Sequence, residues 1–341
     1  MCRYEPVLLL PMGLGAILAN IPLSSAVGPR GPLTLLFEAG ITTELFPVLI
    51  FIGIGAMIDF GPLLRKPVMM LYGAAAQFGI FATMVVATLL GFSLPQAAAI
   101  GMIGAADGPT TIFVGAQLAP ELLGPLSVAA YSYMSLVPII QPAVIRRLTT
   151  PTERRIRMTY EEGPPVSRKA RILFPIIVTL LAGLVAPISV ALIGFLMFGN
   201  LLRESGVVDS LSQTAQKELT NLVTLLLGIT IGSTMEASSF LRLDTLLVMA
   251  MGLAAFIFDT AGGVIFAKLL NLVLKQKVNP MIGAAGISAF PMSGRVVAKM
   301  ALAEDPSNYL IMHSIGANVA GQIGSVVAGG LVLALVIQGV L

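Results

Sequence analysis

The sequence predicts an all-α, polytopic membrane protein built from two repeats of about five membrane segments, each with a Gly/Pro-interrupted helix. Three observations carry this prediction: the composition, the spacing of the apolar segments, and a broken motif that occurs twice. Of the 341 residues, 56% are hydrophobic and only 11% are charged, whereas soluble domains carry about 25% charged residues. The mean hydropathy is +0.93. A water-soluble globular protein is therefore excluded.

Ten apolar segments divide evenly around a basic loop. Eight of the 20 Lys and Arg residues fall between positions 146 and 171, and a short loop rich in these residues stays in the cytoplasm. The sequence therefore predicts a first membrane repeat over 1–145, a cytoplasmic loop over 146–171 and a second membrane repeat over 172–341. The apolar segments lie near residues 7–23, 45–60, 67–92, 94–119, 127–145, 172–197, 221–236, 245–273, 279–303 and 309–338.

The location that follows is the cell inner (cytoplasmic) membrane, crossed several times. Nucleic acid is not expected as a partner, because aromatic residues are sparse in the basic loop and membrane segments flank it. One cysteine and one histidine exclude an internal disulfide and a metal site built from cysteines or histidines. The sequence GxxxxGK[ST] does not occur, so energy must come from an ion gradient or from a partner's chemistry.

The broken motif appears once in each half of the chain. Residues 103–119 read IGAADGPTTIFVGAQLA, and residues 285–301 read AGISAFPMSGRVVAKMA. Aligning the central prolines, Pro109 and Pro291, also pairs Gly104 with Gly286. Interrupted apolar segments in matching halves are the best sequence indication of an ion or substrate site in a transport protein.

The orientation of the two repeats depends on what the broken segments do. If they cross the membrane fully, each half crosses an odd number of times and the repeats are inverted. If they are re-entrant, each half crosses four times and the repeats run parallel. The charges do not decide between these alternatives. We expect inverted repeats, because broken helices usually accompany inversion.

Asp107 is the strongest candidate for an ion-binding residue. A carboxylate inside a membrane segment costs about 2.5–3.5 kcal/mol on insertion scales, and such a residue is usually functional. Pro109 suits the first turn of a new half-helix, which leaves Asp107 in an unwound stretch beside bare carbonyl groups. Carboxylate and carbonyl oxygens suit a hard cation such as Na⁺. The alternative is a helix cap near the membrane surface.

The second motif offers neutral polar groups and one base. Asn279 and Ser288 provide oxygens without charge, and Arg295 lies one turn beyond Pro291. Arg295 could anchor a substrate carboxylate through two hydrogen bonds or neutralise Asp107. The alternative is an arginine that reaches the membrane surface with its long side chain.

Further polar residues follow each broken segment. Tyr131, Ser132 and Tyr133 interrupt one apolar helix; in the other, Asn318, Gln322 and Ser325 share one helical face. We expect that face to contact the broken segment before it, although interhelical hydrogen bonding alone would explain the pattern. Asp259 is a secondary candidate for an ion path, whereas Asp59 and His313 are expected to be interfacial and structural.

Four stretches of this chain resemble the β subunit of the sodium-ion-pumping decarboxylases of oxaloacetate, methylmalonyl-CoA, glutaconyl-CoA and malonate. The resemblance covers nearly the whole chain. It implies that a soluble carboxyltransferase moves a carboxyl group onto biotin, and that the membrane subunit decarboxylates carboxybiotin, consumes a proton and exports Na⁺. The stretches are YEPVLLLPMGLGAILANIP (4–22), GAADGPTTIFV (104–114), NPMIGAAGISAFPMSGRV (279–296) and HSIGANVAGQIGSVVAGG (313–330).

The resemblance also implies roles for individual residues. Na⁺ would be bound by a set of five: Asp107, Asn279, Gly283, Ser288 and Asn318. Catalysis would involve Asp107, Ser288, Tyr133 and Arg295, with Arg295 also facing the carboxylate of carboxybiotin. The biotin would be carried by the partner and not by this chain.

The implied partners are a carboxyltransferase or biotin-carrier subunit, a small single-span membrane subunit of the γ or δ type, and further copies of the chain itself. Family members usually carry another apolar helix before the YEP stretch. The alternative function is a secondary Na⁺/H⁺-coupled organic-anion transporter in which Arg295 grips a substrate carboxylate. Composition and broken helices fit this alternative equally well.

Overall fold

The computed structural model describes residues 8–158, 165–237 and 242–339, and within these ranges it contains helices and turns but no strand. Five helices are long and apolar enough to cross a bilayer, and a bent pair, Pro32–Thr42 with Leu45–Met57, would make a sixth span with a bend of 61°. The all-α, multi-pass architecture is therefore confirmed. The five are Met69–Leu89, Pro120–Leu148, Pro187–Ser205, Leu243–Val273 and Ile311–Ile337.

Nine α-helices make up the described part of the first half, which starts at residue 8. A π-helical turn, Glu38–Thr42, follows α2, a 3₁₀ turn, Met102–Ala105, follows α7, and another, Pro120–Leu122, precedes α9. The helices are α1 Leu9–Asn20, α2 Pro32–Phe37, α3 Leu45–Met57, α4 Gly61–Arg65, α5 Met69–Ala76, α6 Phe78–Leu89, α7 Leu94–Gly101, α8 Gly108–Leu118 and α9 Leu123–Leu148.

The second half repeats this plan after a short helix in the basic loop. Its own π-helical turn, Ala215–Leu219, lies between α13 and α14, in the place that Glu38–Thr42 occupies between α2 and α3. The described helices are α10 Pro151–Arg154, α11 Arg168–Val185, α12 Val190–Ser205, α13 Asp209–Thr214, α14 Thr220–Gly232, α15 Leu243–Val273, α16 Met281–Ala284, α17 Met292–Glu304 and α18 Ile311–Ile337.

The apolar segment expected over 172–197 is two helices rather than one. Pro187 breaks it, because proline has no N–H to donate and disfavours helical geometry at the residue before it. The two helices run antiparallel: the Arg171 guanidinium lies 3.4 Å from the Glu204 carboxylate, and Arg168 donates to the Ser205 carbonyl. Of the two, only Pro187–Ser205 is among the helices long and apolar enough to cross a bilayer.

The two halves pack against each other reciprocally. Helix α1 packs on α14, and Asn20 donates to the Met235 carbonyl oxygen at 2.8 Å. Helix α12 packs on α3, and Asn200 donates to the Ile58 carbonyl oxygen at 3.1 Å. In the same way α9 packs on α15, and α18 packs on α5. Helices of one half therefore pack against helices of the other half.

The first broken segment begins and ends at the same side of the helix bundle. Its entry and exit are joined by a hydrogen bond of 2.9 Å from Gln96 to Glu121. Helix α7 and its 3₁₀ turn comprise 12 residues, Leu94–Ala105, or about 18 Å of helix, which is short of the roughly 30 Å hydrocarbon core. The segment is therefore re-entrant.

The second broken segment returns to the side of the basic loop. Asn279, at its entry, donates to the carbonyl oxygen of Arg154 at 2.7 Å. At its exit, Glu304 forms an ion pair of 2.6 Å with the same arginine. Asp305 accepts a hydrogen bond of 2.6 Å from Arg157, and this bond lowers the pKa of the Asp305 carboxyl. The entry and the exit of this segment therefore also lie close together, beside the basic loop.

Candidate ion-binding site

The break in the first segment places a carboxylate in the interior of the protein. Ala106 has a left-handed backbone conformation with φ of 54°, which ends the 3₁₀ turn. Asp107 then caps α8 by accepting a hydrogen bond of 3.2 Å from the Thr110 amide. Its exposed fraction is only 3%. The positive end of α8 thus faces a buried acid.

Helix α18 supplies two further donors to this acid. Ser325 Oγ donates to Asp107 Oδ2 at 2.6 Å, and Gln322 Nε2 donates to the same oxygen at 3.1 Å. Both residues lie on the polar face of α18 that the sequence predicts to look at a broken segment. Through Asp107, Gln322 and Ser325 contact the first broken segment. The sequence predicts a contact with the second broken segment, which precedes α18 in the chain.

Ser288 connects the second break to this cluster. Its Oγ donates to the Gly321 carbonyl oxygen at 2.8 Å and lies 2.6 Å from Ser325 Oγ. A continuous line of oxygens therefore runs from Ser288 through Ser325 to Asp107. Both broken segments meet α18 at this line, so the site is shared by the two halves of the chain.

Asn318 holds the second break in place. Its Nδ2 donates to the Ile287 carbonyl oxygen at 2.7 Å, one residue before Ser288. The Asn318 side chain is fully buried, and its Oδ1 has no hydrogen-bond partner among the described atoms. An unpartnered buried carbonyl oxygen is costly, so this atom is suited to receive a cation or a hydrogen-bond donor.

A cavity of about 410 Å³ lies beside the oxygen line. Asp107, Ser288 and Gln322 form part of its wall, and Arg295 in α17 is exposed on it. Arg295 makes no ion pair with a carboxylate in the described ranges, so it does not neutralise Asp107 by direct contact. The cavity thus combines one buried acid, one accessible base and several neutral oxygens.

Three residues that the resemblance assigns to the site lie away from Asp107. Asn279 donates to the carbonyl oxygens of Arg154 and Ile156 in the basic loop. Gly283 packs with its backbone against the backbone of Gly263. Tyr133 donates through its hydroxyl to the Met249 carbonyl oxygen at 2.6 Å. In this structure none of the three contacts the carboxylate.

Two residues to which the sequence assigned no role, Tyr131 and Thr110, lie beside the acid. The Tyr131 ring packs against Gly108, and its buried hydroxyl has no partner among the described atoms. Thr110 follows Asp107 in the first turn of α8 and is fully buried. Thr110 could have been recognised from its position in the first turn of the half-helix that follows Asp107. The spacing in the sequence alone did not show whether Tyr131 or Tyr133 lies beside Asp107.

Within the described ranges, no three His, Cys, Asp or Glu side chains cluster as a metal site. One carboxylate among hydroxyl, amide and carbonyl oxygens is a donor set for a hard monovalent cation or a proton. A buried acid between paired broken helices is typical of membrane proteins that move ions. Fold and site together define an ion-translocating, multi-pass membrane protein.

The chain belongs to the family of Na⁺-transporting oxaloacetate decarboxylase beta subunits, whose family model matches residues 1–336. It is 51% identical over 333 residues to methylmalonyl-CoA decarboxylase subunit beta of Veillonella parvula, with 98% of this chain and 88% of the relative covered. It is 49% identical to glutaconyl-CoA decarboxylase subunit beta of Acidaminococcus fermentans, with the same coverage. The oxaloacetate decarboxylase beta chain of Klebsiella pneumoniae is 43% identical over 396 residues, covering 98% and 91%.

Proposed function

We propose that this chain decarboxylates carboxybiotin presented by a partner subunit and couples that reaction to Na⁺ export with consumption of a proton. One observation carries the proposal: the two broken segments meet at Asp107, on a cavity whose wall also bears an accessible arginine. Family membership gives the activity class, and this geometry supports a single place where an ion and a carboxylate substrate are handled together.

Na⁺ and a proton compete for the Asp107 carboxylate in this proposal. The Asp107 oxygens, the hydroxyls of Ser288 and Ser325, and Asn318 Oδ1 are the candidate oxygen ligands. With Na⁺ bound, the carboxylate is ionised. When Na⁺ leaves, a proton takes its place, and the line from Ser288 through Ser325 to Asp107 is a suitable path because each hydroxyl both donates and accepts.

Arg295 is proposed to bind the carboxylate of carboxybiotin. Its guanidinium is exposed on the cavity wall, and arginine binds carboxylates through two parallel hydrogen bonds. A volume of about 410 Å³ lies within the range of small-molecule sites. Loss of CO₂ from carboxybiotin leaves the biotin nitrogen to be protonated, so each turnover consumes one proton.

Asn279, Gly283 and Tyr133 are proposed to position the site rather than to bind Na⁺ in the state described. Asn279 ties the entry of the second broken segment to the basic loop. Gly283 allows that segment to lie against α15, and Tyr133 joins α9 to α15. Each of these contacts holds an element that positions Ser288 or Asp107.

The repeats are proposed to be inverted. Two observations support this: helices of the two halves pack reciprocally, and the membrane-length helix Pro120–Leu148 separates Glu121, at the exit of the first broken segment, from the basic loop that holds the second. If re-entrant segments give each half four crossings, inversion requires one further crossing between the halves, and we propose that α11 makes it. The proposed boundaries remain 1–145, 146–171 and 172–341.

The basic loop is proposed to face the cytoplasm, with the chain in the inner membrane. A carboxyltransferase or biotin-carrier subunit is then proposed to approach on the loop side. A small single-span membrane subunit and further copies of this chain are the other proposed partners.

The decisive experiment measures decarboxylation of free carboxybiotin by the purified chain with its small membrane partner in liposomes, with and without Na⁺. We expect Na⁺-stimulated release of CO₂ together with movement of ²²Na⁺. Folded protein that releases no CO₂ but takes up a dicarboxylate on its own would contradict the proposal and establish an organic-anion transporter.

A further inference from the structure

A second carboxylate is buried in the membrane region outside the site described above. Asp259 lies near the middle of α15, Leu243–Val273, and its exposed fraction is 0%. Neither of its carboxylate oxygens has a side-chain hydrogen-bond partner among the described residues, and the donors that face it are the backbone amides of Gly79 and Ile80 at the start of α6. Acids at this depth are rare and usually functional, and the mechanism proposed above does not use this one.

Asp259 lies in a cradle made of two glycines of the first half. Gly79 is in the first turn of α6, and a side chain there would overlap Asp259 Oδ1. Gly104 is in the 3₁₀ turn before Asp107, and a Cβ atom there would lie 2.9 Å from Asp259 Oδ2. The carboxyl group therefore packs directly against backbone that leads, three residues later, to Asp107.

The other half contains a neutral counterpart. Aligning Pro109 with Pro291 pairs Asp259 with Gln77 as well as Gly104 with Gly286. Gln77 is also buried, and its Nε2 donates to the Gly73 carbonyl oxygen at 3.0 Å and lies 3.5 Å from the Gly286 carbonyl oxygen. Each half thus inserts one polar side chain against the paired glycine of the other half's broken segment.

The difference between the two side chains is the proton. The Gln77 amide always donates, whereas a carboxyl group donates only when it is protonated. The glycine cradle leaves Asp259 without the several oxygen ligands that Na⁺ takes. The ligand that fits the cradle is therefore a proton.

No charged side chain on the described elements around Asp259 holds it ionised, and the groups that favour its ionised form are the Gly79 and Ile80 amides at the start of α6. Of the elements packed against α15, helix α5 carries the titratable Tyr72, and α9 carries Tyr131 and Tyr133 with two arginines, 146 and 147, at its loop end. Helices α6, α7 and α16 and the 3₁₀ turn carry no titratable residue. Asp259 makes no ion pair within the described ranges.

We propose that Asp259 is a second proton-binding acid of this protein, and that its protonated carboxyl holds the first broken segment at Gly104 as Gln77 holds the second at Gly286. Binding and release involve one proton at a carboxylate oxygen and no other bond. The role of Asp259 in pumping rests on the proposed function. Release of its proton removes a hydrogen-bond donor from the turn that leads to Asp107, so proton binding at Asp259 is coupled to ion binding at Asp107.

Infrared spectroscopy of the full chain in lipid nanodiscs at neutral pH tests proton binding without any activity. We expect Asp107→Asn to show the carbonyl band of a protonated carboxylic acid, shifted in D₂O, and Asp107→Asn/Asp259→Asn to lack it. A band that persists in the double variant overturns the assignment. If the double variant does not fold, the single variant still decides, because absence of the band there overturns the proposal.

The reconstituted complex tests the role in pumping. We expect Asp259→Asn, which keeps a neutral donor, to fold and to slow Na⁺-dependent decarboxylation about a hundredfold, the usual scale for removing a proton-transfer group. Wild-type turnover with a wild-type ratio of Na⁺ to CO₂ overturns this role. Loss of Na⁺-dependent decarboxylation in the wild type would instead refute the proposed function and leave the infrared result valid.

Discussion

At the scale of single residues, the candidate site depends on one carboxylate whose hydrogen bonds come from two helices. Asp107 accepts from Thr110 in α8 and from Gln322 and Ser325 in α18, and Ser288 of the second break lies one hydroxyl further away. One hydrogen bond thus joins residues that are 218 positions apart in sequence. Substitutions at these positions separate ion binding from folding.

Asp107→Asn should abolish Na⁺ transport and lower Na⁺-dependent decarboxylation by about a hundredfold or more. The amide keeps the shape of the side chain but cannot balance the charge of a cation. The measurement is CO₂ release against Na⁺ concentration in liposomes. Asp244→Asn, at an acid with 58% side-chain exposure, is the control and should behave like the wild type. Ordinary Na⁺-dependent turnover in Asp107→Asn would refute the site.

Ser325→Ala should weaken Na⁺ binding about ten- to a hundredfold. The hydroxyl makes a bond of 2.6 Å to the carboxylate, and hydrogen bonds to charged groups contribute about 1.5–3 kcal/mol. The Na⁺ concentration for half-maximal decarboxylation measures the effect. Ser314→Ala on the same helix removes a hydroxyl bonded only to neighbouring carbonyls and should leave this concentration unchanged. Equal effects of the two substitutions would contradict the prediction.

Arg295→Ala should raise the KM for carboxybiotin about ten- to a hundredfold, because a charged hydrogen-bond donor to the substrate carboxylate is lost. Lys299→Ala is the matched control, since Lys299 is an exposed cation one turn further along α17 and does not line the cavity. Steady-state kinetics with free carboxybiotin separate KM from kcat. A change in kcat alone would argue against substrate binding by Arg295.

Residue patterns predicted part of this site. Asp107, Ser288 and Arg295 line one cavity, because interrupted helices bring polar groups to the break, and their roles there stay predictions. Asn279 was placed with them by resemblance, yet it lies at the loop end of its segment. A linear motif gives the order of residues but not the point at which the chain turns back, so it does not separate an entry residue from one at the tip.

At the scale of elements, the segment around α10 fastens both ends of the second broken segment. The buried Arg154 pairs with Glu304 at 2.6 Å, and its carbonyl oxygen accepts from Asn279 and Asn308. The exposed Arg157 pairs with Asp305, also at 2.6 Å. Two arginines three residues apart thus make similar ion pairs in different surroundings.

Arg154→Ala should therefore destabilise the protein by about 3–5 kcal/mol, since Glu304 is left poorly compensated, whereas Arg157→Ala should cost about 1 kcal/mol or less. Side-chain exposures of 10% and 62% decide the difference. Melting temperatures in detergent measure both variants. Equal losses of stability would show that burial does not determine how much each ion pair contributes.

Helix patterns were predicted better than helix ends. Every expected apolar segment with a described backbone is helical, because apolar runs in a bilayer must satisfy their backbone groups internally. The break at Pro187 was missed, since proline inside a membrane helix is often tolerated. Its effect depends on the packing of α11 on α12, which is a contact between elements and is not encoded in the local sequence.

At the scale of the whole molecule, helices of one half pack against helices of the other, and we propose that their broken segments enter from opposite sides. Charge alone did not indicate this arrangement, because the expected alternatives tied inversion to fully crossing segments. One further crossing by α11, as proposed above, would allow re-entrant segments and opposed halves to coexist. Contacts between helix ends, such as the one between Gln96 and Glu121, distinguish re-entrant segments from segments that cross the membrane fully.

Labelling of introduced cysteines tests this topology. In a Cys2→Ser background, Glu121→Cys should react with a membrane-impermeant maleimide added to intact cells, whereas Ser307→Cys should react only after the cells are opened. Glu121 lies at the ends of the first broken segment, and Ser307 lies just beyond the second, near the basic loop. Reaction of both positions from the same side would refute opposed entry.

The return of each broken segment to its own side has a consequence for leakage. In the proposed arrangement each hairpin is tethered at one membrane face only, so the barrier on either side of Asp107 would be a single unwound tip rather than a full helix. Displacement of such a tip would not move any helix end through the bilayer. Each face of the membrane would then have its own gate, and damage to one tip would turn the pump into a one-sided binding pocket before it became an open pore.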